Sequence, residues 1–220
     1  MATVYELAAV PQALRDGAWQ ADFFIELPAA NVLVVDETPA SGPDGWPYLK
    51  VELNQNSSEP LTRVLGWLST RGIGVVVNAQ KELPDAVLTY GMIWNFRQTG
   101  RFFTVENESN IVMNGSPSES RFLLQKGQIA HAGTPSEQYL PGYVRNILRA
   151  FFHDNGVEKP KVLVLSEDRK RYDLCFSVES LGNPKQSEHS GILEVLAWFL
   201  PAHYSLVLAS EAGLPSFVVL

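Results

Sequence analysis

Two pairs of carboxylates are placed where they could hold a cation. Asp36-Glu37 follows the apolar run Val32-Leu33-Val34-Val35, and Glu167-Asp168 follows Val162-Leu163-Val164-Leu165 with Ser166 between. Acidic oxygens gathered at strand ends are the ligands that hard cations take. The plainer reading of both pairs is a solvated strand terminus. A cleft between two halves of the chain would supply the rest of such a site, since ligands commonly bind between domains. That yields one functional expectation: a small-ligand or metal sensor, or an enzyme, working on Asp36, Glu37, Glu167 and Asp168.

Other chemistry has little support. There is no Cys-x-x-Cys and no His-Glu-x-x-His, so a dedicated zinc site is not expected. Gly115-Ser116 lacks the following Lys of a phosphate loop, and Gly-x-Ser-x-Gly is absent. His131, His153, His189 and His203 fall in different elements; His153 suits a helix C-terminus, where the dipole favours a cation. Lone Cys175 sits between Leu174 and Phe176 and reads as a buried structural thiol. No catalytic residue, metal or cofactor is therefore expected, and the balance leans away from an enzyme. Aromatic residues are the remaining lead. Trp46, Trp94, Phe96, Phe102 and Phe103 lie in or near loops and the segment between the halves. They either close an interface or form a patch for a protein partner, where Trp and Phe are enriched.

These groups must be positioned by elements whose pattern is readable. Thr3 with Glu6 forms a capping box, opening a first helix that Pro11 interrupts. Strands are expected over 22–27, 31–37 and 48–54, with the turn-rich 38–45 between the last two. Leu61, Val64, Leu65 and Leu68 make one buried face of a helix over 59–71, stopped by Gly72. Strands over 73–79 and 86–90 and a short helix over 91–98 follow. The middle is β-like, with strands over 102–106, 121–125 and 128–132. Thr134 with Glu137 gives a second capping box, although Pro141-Gly142 can delay the helix that ends near Asn155-Gly156. Strands over 161–167 and 172–179, a helix over 188–200, and strands over 203–210 and 216–220 complete the chain.

An internal repeat organises these elements. Aligned without a gap, 64–88 and 195–219 share Val64/Val195, Leu65/Leu196, Trp67/Trp198, Val76/Val207, Leu83/Leu214, Pro84/Pro215 and Val87/Val218. Upstream, the apolar runs beginning at Val32 and Val162, and the capping boxes at Thr3 and Thr134, keep nearly the same offset. The expectation is an α+β protein of two related α-β-β-(β)-α-β-β units, 1–98 and 99–220, the second with extra N-terminal strands. Short links predict mainly antiparallel sheets, with helices on one face. Val75-Val76-Val77 and Leu206-Val207-Leu208 are apolar on both sides of their strands, which predicts burial of both faces. Packing of the units through their sheets, as a pseudo-dimer, would provide it.

The chain has 220 residues, 45% of them hydrophobic, and a formal charge of −7. That charge argues against nucleic acid as a partner. No apolar run is long enough for a membrane span, and the N-terminus lacks the pattern of a signal peptide, so a cytoplasmic location is expected. The order α-β-β-β-α-β-β-α of the first unit, its size and its acidity resemble the small secretion chaperones of type III systems and the related YbjN-like bacterial proteins. Those chaperones act as homodimers that bind an extended partner segment on apolar patches, and a tandem duplication resembles such a dimer in one chain. The resemblance implies a non-enzymatic protein-binding module, chaperone or adaptor, either monomeric as a pseudo-dimer or homodimeric.

Overall fold

The computed structural model describes residues 2–103, 131–166 and 169–220. It is an α+β protein whose described residues hold six α-helices and two mixed, mostly antiparallel five-stranded sheets. The chain divides into two compact units, Met1–Met113 with Leu200–Ala202 and Asn114–Phe199 with His203–Leu220.

The first unit opens with α1 (Val4–Ala8), capped by the reciprocal bonds of Thr3 and Glu6 that the spacing predicts. The next element corrects an expectation. Residues 22–27 are not a strand: 22–26 end α2 (Gly17–Glu26), whose N-cap Asp16 accepts from the Trp19 N–H at 2.8 Å, and Leu27 opens a short 3-10 turn. Phe23-Phe24-Ile25 reads as a strand only in a short window. Over the longer one, Trp19 and Phe23 stack one turn apart at 4.9 Å, while Ile25 points to solvent. Three strands follow: β1 (Val32–Val34), β2 (Ala40–Ser41) and β3 (Pro47–Leu53). Then come α3 (Leu61–Leu68), β4 (Gly74–Val77), β5 (Ala86–Leu88) and α4 (Tyr90–Thr99), which ends at Gly100 in the left-handed conformation. All four apolar residues assigned to the inner face of α3 are buried.

The second unit contains β6 (His131–Gly133), α5 (Gly142–Asp154), β7 (Lys161–Ser166) and β8 (Asp173–Ser177). It continues with α6 (His189–Phe199), β9 (Ser205–Ala209) and β10 (Val218–Val219). The capping box at Thr134 and Glu137 does not start a helix. Pro141 lacks an N–H and disfavours helical geometry at Leu140, so α5 begins at Gly142, whose N–H donates to the Glu137 carboxylate at 2.9 Å. The strand expected over 121–125, and most of those over 102–106 and 128–132, lie outside the described residues.

The sheet orders are β1-β3-β4-β5, with β2 on β3, and β10-β7-β8-β9, with β6 on β7. Through β1-β3-α3-β4 and β7-β8-α6-β9 the units share one topology: an antiparallel pair, a helical crossover and a parallel strand. The sheets are mainly antiparallel as expected, and the two parallel pairs are β3–β4 and β8–β9. An intervening helix carries the chain back across the sheet, so the strand re-enters in the same direction. The units part at the last strand. β5 pairs with β4, but β10, its counterpart in the repeat, pairs with β7 at the opposite edge. The C-terminal strand is thus an edge strand rather than an interior one.

In the first unit, helices α1 to α4 cover one sheet face, and Val32, Leu49, Val51, Val75, Val77, Ala86 and Leu88 meet them there. In the second, Phe152 of α5 reaches Phe176 of β8 at 5.9 Å between ring centroids. The opposite face of the second sheet is buried as well. Leu163, Leu165, Cys175 and Val207 pack there with Phe217, and Leu214 lies against them. Burial, and to a lesser degree the Asp173 carboxylate, push the Cys175 thiol from an ordinary value near 9 up to about 12. The folded state holds this proton more tightly than the unfolded chain, so stability is flat near neutrality and falls as pH climbs above the ordinary thiol value. An aromatic disulfide reagent at pH 8 is therefore expected to label Cys175 only at the rate of unfolding; burst labelling of the native chain would contradict this packing.

Candidate functional site

The residues singled out in the sequence are dispersed by the fold. Trp94 and Phe102 are buried, and Phe96 stacks on Phe102 at 4.9 Å. Phe24 packs edge-on against both Phe102 and Phe103, at 5.8 and 5.0 Å. Phe96, Phe102 and Phe103 are thus part of the first unit's own core, not a surface patch. Burial removes Trp94 and Phe102 from any partner's reach. Trp46 is half-buried in the turn before β3. Asp36 and Glu37 are exposed, and Asp36 accepts from the Thr38 N–H at 2.9 Å, a local turn bond that accounts for its position. Glu167 and Asp168 lie outside the described residues. Among the described residues no three His, Cys, Asp or Glu side chains are grouped to hold a metal ion. Trp67 and Trp198 occupy equivalent helical positions but not equivalent surroundings. Trp198 is buried, whereas Trp67 is exposed under the Arg71 guanidinium, 4.1 Å from its ring centroid.

The repeat exposes a different candidate, the helix-free face of the first sheet. Residues opposite one another across strands share a face, so Leu33 with Glu52, Lys50 with Val76, and Val76 with Val87 all lie on this side. Leu33 is 48% exposed, Val35 52% and Val87 36%. Their neighbour Leu83, in the β4–β5 turn, is also exposed. Val35 stands beside Lys50 and so in line with Val76; in the second unit Leu163 stands in the same place, beside Cys175 and in line with Val207, and is 2% exposed. The difference arises in the segment beyond β4 in one unit and beyond β9 in the other. After β9 the chain folds over the helix-free face and lays Leu214 and Phe217 on it. In the first unit the equivalent of Leu214, Leu83, points to solvent, and the counterpart of Phe217 is Ala86, which packs on the other side. One apolar face is therefore covered by its own chain and its sister is not. Lys50 and Glu52 interrupt the bare face. At one end Tyr48 closes it, its ring within 2.6 Å of where a side chain at Gly74 would begin and its hydroxyl donating to Asp44 at 2.6 Å. On β4 itself this side is buried at Gly74 and half-buried at Val76, so the expected burial of both faces is met there only in part.

Why the turn after β4 turns away is visible in a polar cluster that sequence reasoning missed. Asn78 sits in the left-handed conformation at φ 57° at the end of β4, and its side-chain Oδ1 accepts from the Leu53 N–H at 2.9 Å. Its amide donates to the buried Asp85 carboxylate. Asp85 also meets Arg15 and Lys81, both at 2.7 Å. Arg15 in turn donates to the carbonyls of Val10 and Ala8 and lies 4.3 Å from the Trp19 ring centroid. The second unit places a related cluster at the same strand ends. Ser177 donates to Glu211 at 2.6 Å, Ser210 donates to Glu179, and the Glu211 N–H donates to Glu179 at 2.9 Å. The Ser177 hydroxyl, then Lys161, hold the Glu211 carboxyl below the usual range, and Ser210 does the same for Glu179. In each cluster the charged groups bond to one another and to nearby backbone, which accounts for both as latches for the turns.

Comparison with family models, curated proteins and solved structures gives no match to the chain. No helix among the described residues is long and apolar enough to cross a membrane.

Proposed function

We propose that the protein is a non-enzymatic protein-binding module, chaperone-like or adaptor in kind, which holds an apolar stretch of a partner on the helix-free face of its first sheet. The observation that carries this reading is the contrast between Val35 and Leu163, which hold the same place in their sheets, one half exposed and the other covered. Exposed apolar residues that are contiguous mark interaction surfaces, whereas scattered ones need no explanation. Leu33 of β1 and Val35 just beyond it are neighbours, and Val76 and Val87 are neighbours on β4 and β5, all on one face, with Lys50 and Glu52 of β3 between the two pairs. The bonding of the two polar clusters within themselves is consistent with a role that does not involve catalysis. The resemblance of the element order to secretion chaperones points the same way.

Photo-crosslinking tests it. With a photoreactive residue at position 33, native extract is expected to give a discrete crosslinked partner; at exposed Gln98 it is expected to give none. Leu33→Asp and Val87→Asp replace exposed side chains, so each is expected to shift stability within about 0.5 kcal/mol while removing that crosslink. Crosslinking that survives both substitutions would rule this face out.

A further inference from the structure

β9 is an edge strand whose equivalent in the first unit is not. Among the described residues it pairs with β8 alone, whereas β4 lies between β3 and β5. The Val178 N–H donates to the Ala209 carbonyl at 3.0 Å, which turns the backbone groups of Ala209 toward β8. By alternation Val207 and Ser205 do likewise, and the N–H and C=O groups of Leu206 and Leu208 face the free edge. The first unit supports this assignment. Asn78, equivalent to Ala209, donates to Val51 of β3, while the carbonyl of Val77, equivalent to Leu208, accepts from Asp85 on the β5 side at 3.0 Å. There Val75 and Val77 stand opposite Leu88 and Ala86. The segment that would fill this place in the second unit is β10, and it has crossed to β7.

The free edge also lacks the devices that discourage pairing. Ser205-Leu206-Val207-Leu208-Ala209 contains no charge, no proline and no glycine. We propose that this edge is a second binding site, which takes an extended, uncharged apolar segment of another protein as an antiparallel strand. The first unit shows the mode, because β5 occupies the equivalent edge antiparallel with Ala86-Val87-Leu88. The chemistry of the occupant is set by the two faces of β9. Leu206 and Leu208 lie on the side of α6, and Val207 lies on the side of Leu214 and Phe217. Both neighbours of an added strand are apolar, so its consecutive residues must be apolar, and a central charge would be left without a partner. Main-chain bonds supply attachment and the side chains supply selection. This site is independent of the sheet face proposed above, and either can fail alone.

The test uses the full chain and a synthetic peptide of residues 86–90, which contains the protein's own β5 sequence and is blocked at both ends to remove its terminal charges. At a peptide concentration ten times the dissociation constant, exchange at the Leu206 and Leu208 amides is expected to slow about tenfold, with Val207 and Ala209 unchanged. A copy of the peptide N-methylated at Ala86 and Leu88, whose N–H groups would face β9, is expected to give no slowing. Leu208→Pro should also abolish binding, since a proline whose nitrogen faces a free edge removes no bond to β8. The peptide arm stands even if that variant fails to fold. Absence of slowing, slowing by the N-methylated copy, or exchange at Leu206 and Leu208 already slow in the dilute free chain would each overturn the proposal. So would protection that rises with protein concentration alone, which would assign the edge to a second copy of this chain.

Discussion

Asp85→Asn is expected to destabilise the first unit by about 3–5 kcal/mol, the cost of breaking a buried ion pair from one side. The Asp85 side chain is fully buried and holds two cations at 2.7 Å. Arg15 is itself 7% exposed, so without Asp85 its charge is stranded against the carbonyls of Ala8 and Val10. The reach of this cluster makes the loss large. Arg15 ties the segment between α1 and α2, Lys81 donates to the Ala8 carbonyl at 2.8 Å, and Asn78 ties the ends of β3 and β4. Lys81→Met should cost far less, because Lys81 is 35% exposed and partly solvated pairs contribute little. Urea unfolding of the two variants checks the ranking; equal midpoints would show that Arg15 does not depend on Asp85.

Phe176→Ala is expected to cost the second unit about 3–5 kcal/mol, the usual range for emptying a buried aromatic site. Phe176 is fully buried in β8, its ring meets Phe152 of α5, and it stands opposite both Val162 and Leu208 in the sheet. Its removal leaves a hole between the sheet and α5 that strands hydrogen-bonded on both sides cannot collapse to fill. Hydrogen exchange at the β7 and β8 amides reads the effect locally: protection there should fall by orders of magnitude. A loss below about 1 kcal/mol would mean that α5 shifts to fill the space.

Legibility differed between elements for identifiable reasons. α3 was readable because four apolar residues at helical spacing all face one core, so periodicity and burial coincide. α2 was misread because its strongest signal is three adjacent apolar residues, and only Trp19, a turn earlier, reveals the helical face. The second capping box was present in sequence but overruled by Pro141. The aromatic candidates failed for a general reason. Phe102 and Phe103 follow the last helix of the unit in loop-like sequence, yet Phe24 from another element draws them against the core, and Phe96 of α4 stacks on Phe102.

The repeat is the part that residues alone determined. Shared apolar positions at one spacing specify one order of elements, because each side chain's face is set locally by the pitch of a helix or the alternation of a strand. Fold class and the equivalence of Val76 with Val207 both derive from it. Tertiary structure alone decided what lies over those positions. Whether Leu83 or Leu214 turns inward, and whether the last strand joins the near edge or the far one, depends on contacts between residues distant in sequence. Asp85 with Arg15 and Phe217 with Val207 set these outcomes. No local pattern encodes them, and they are what separates a covered face and a filled edge from an open face and a free one.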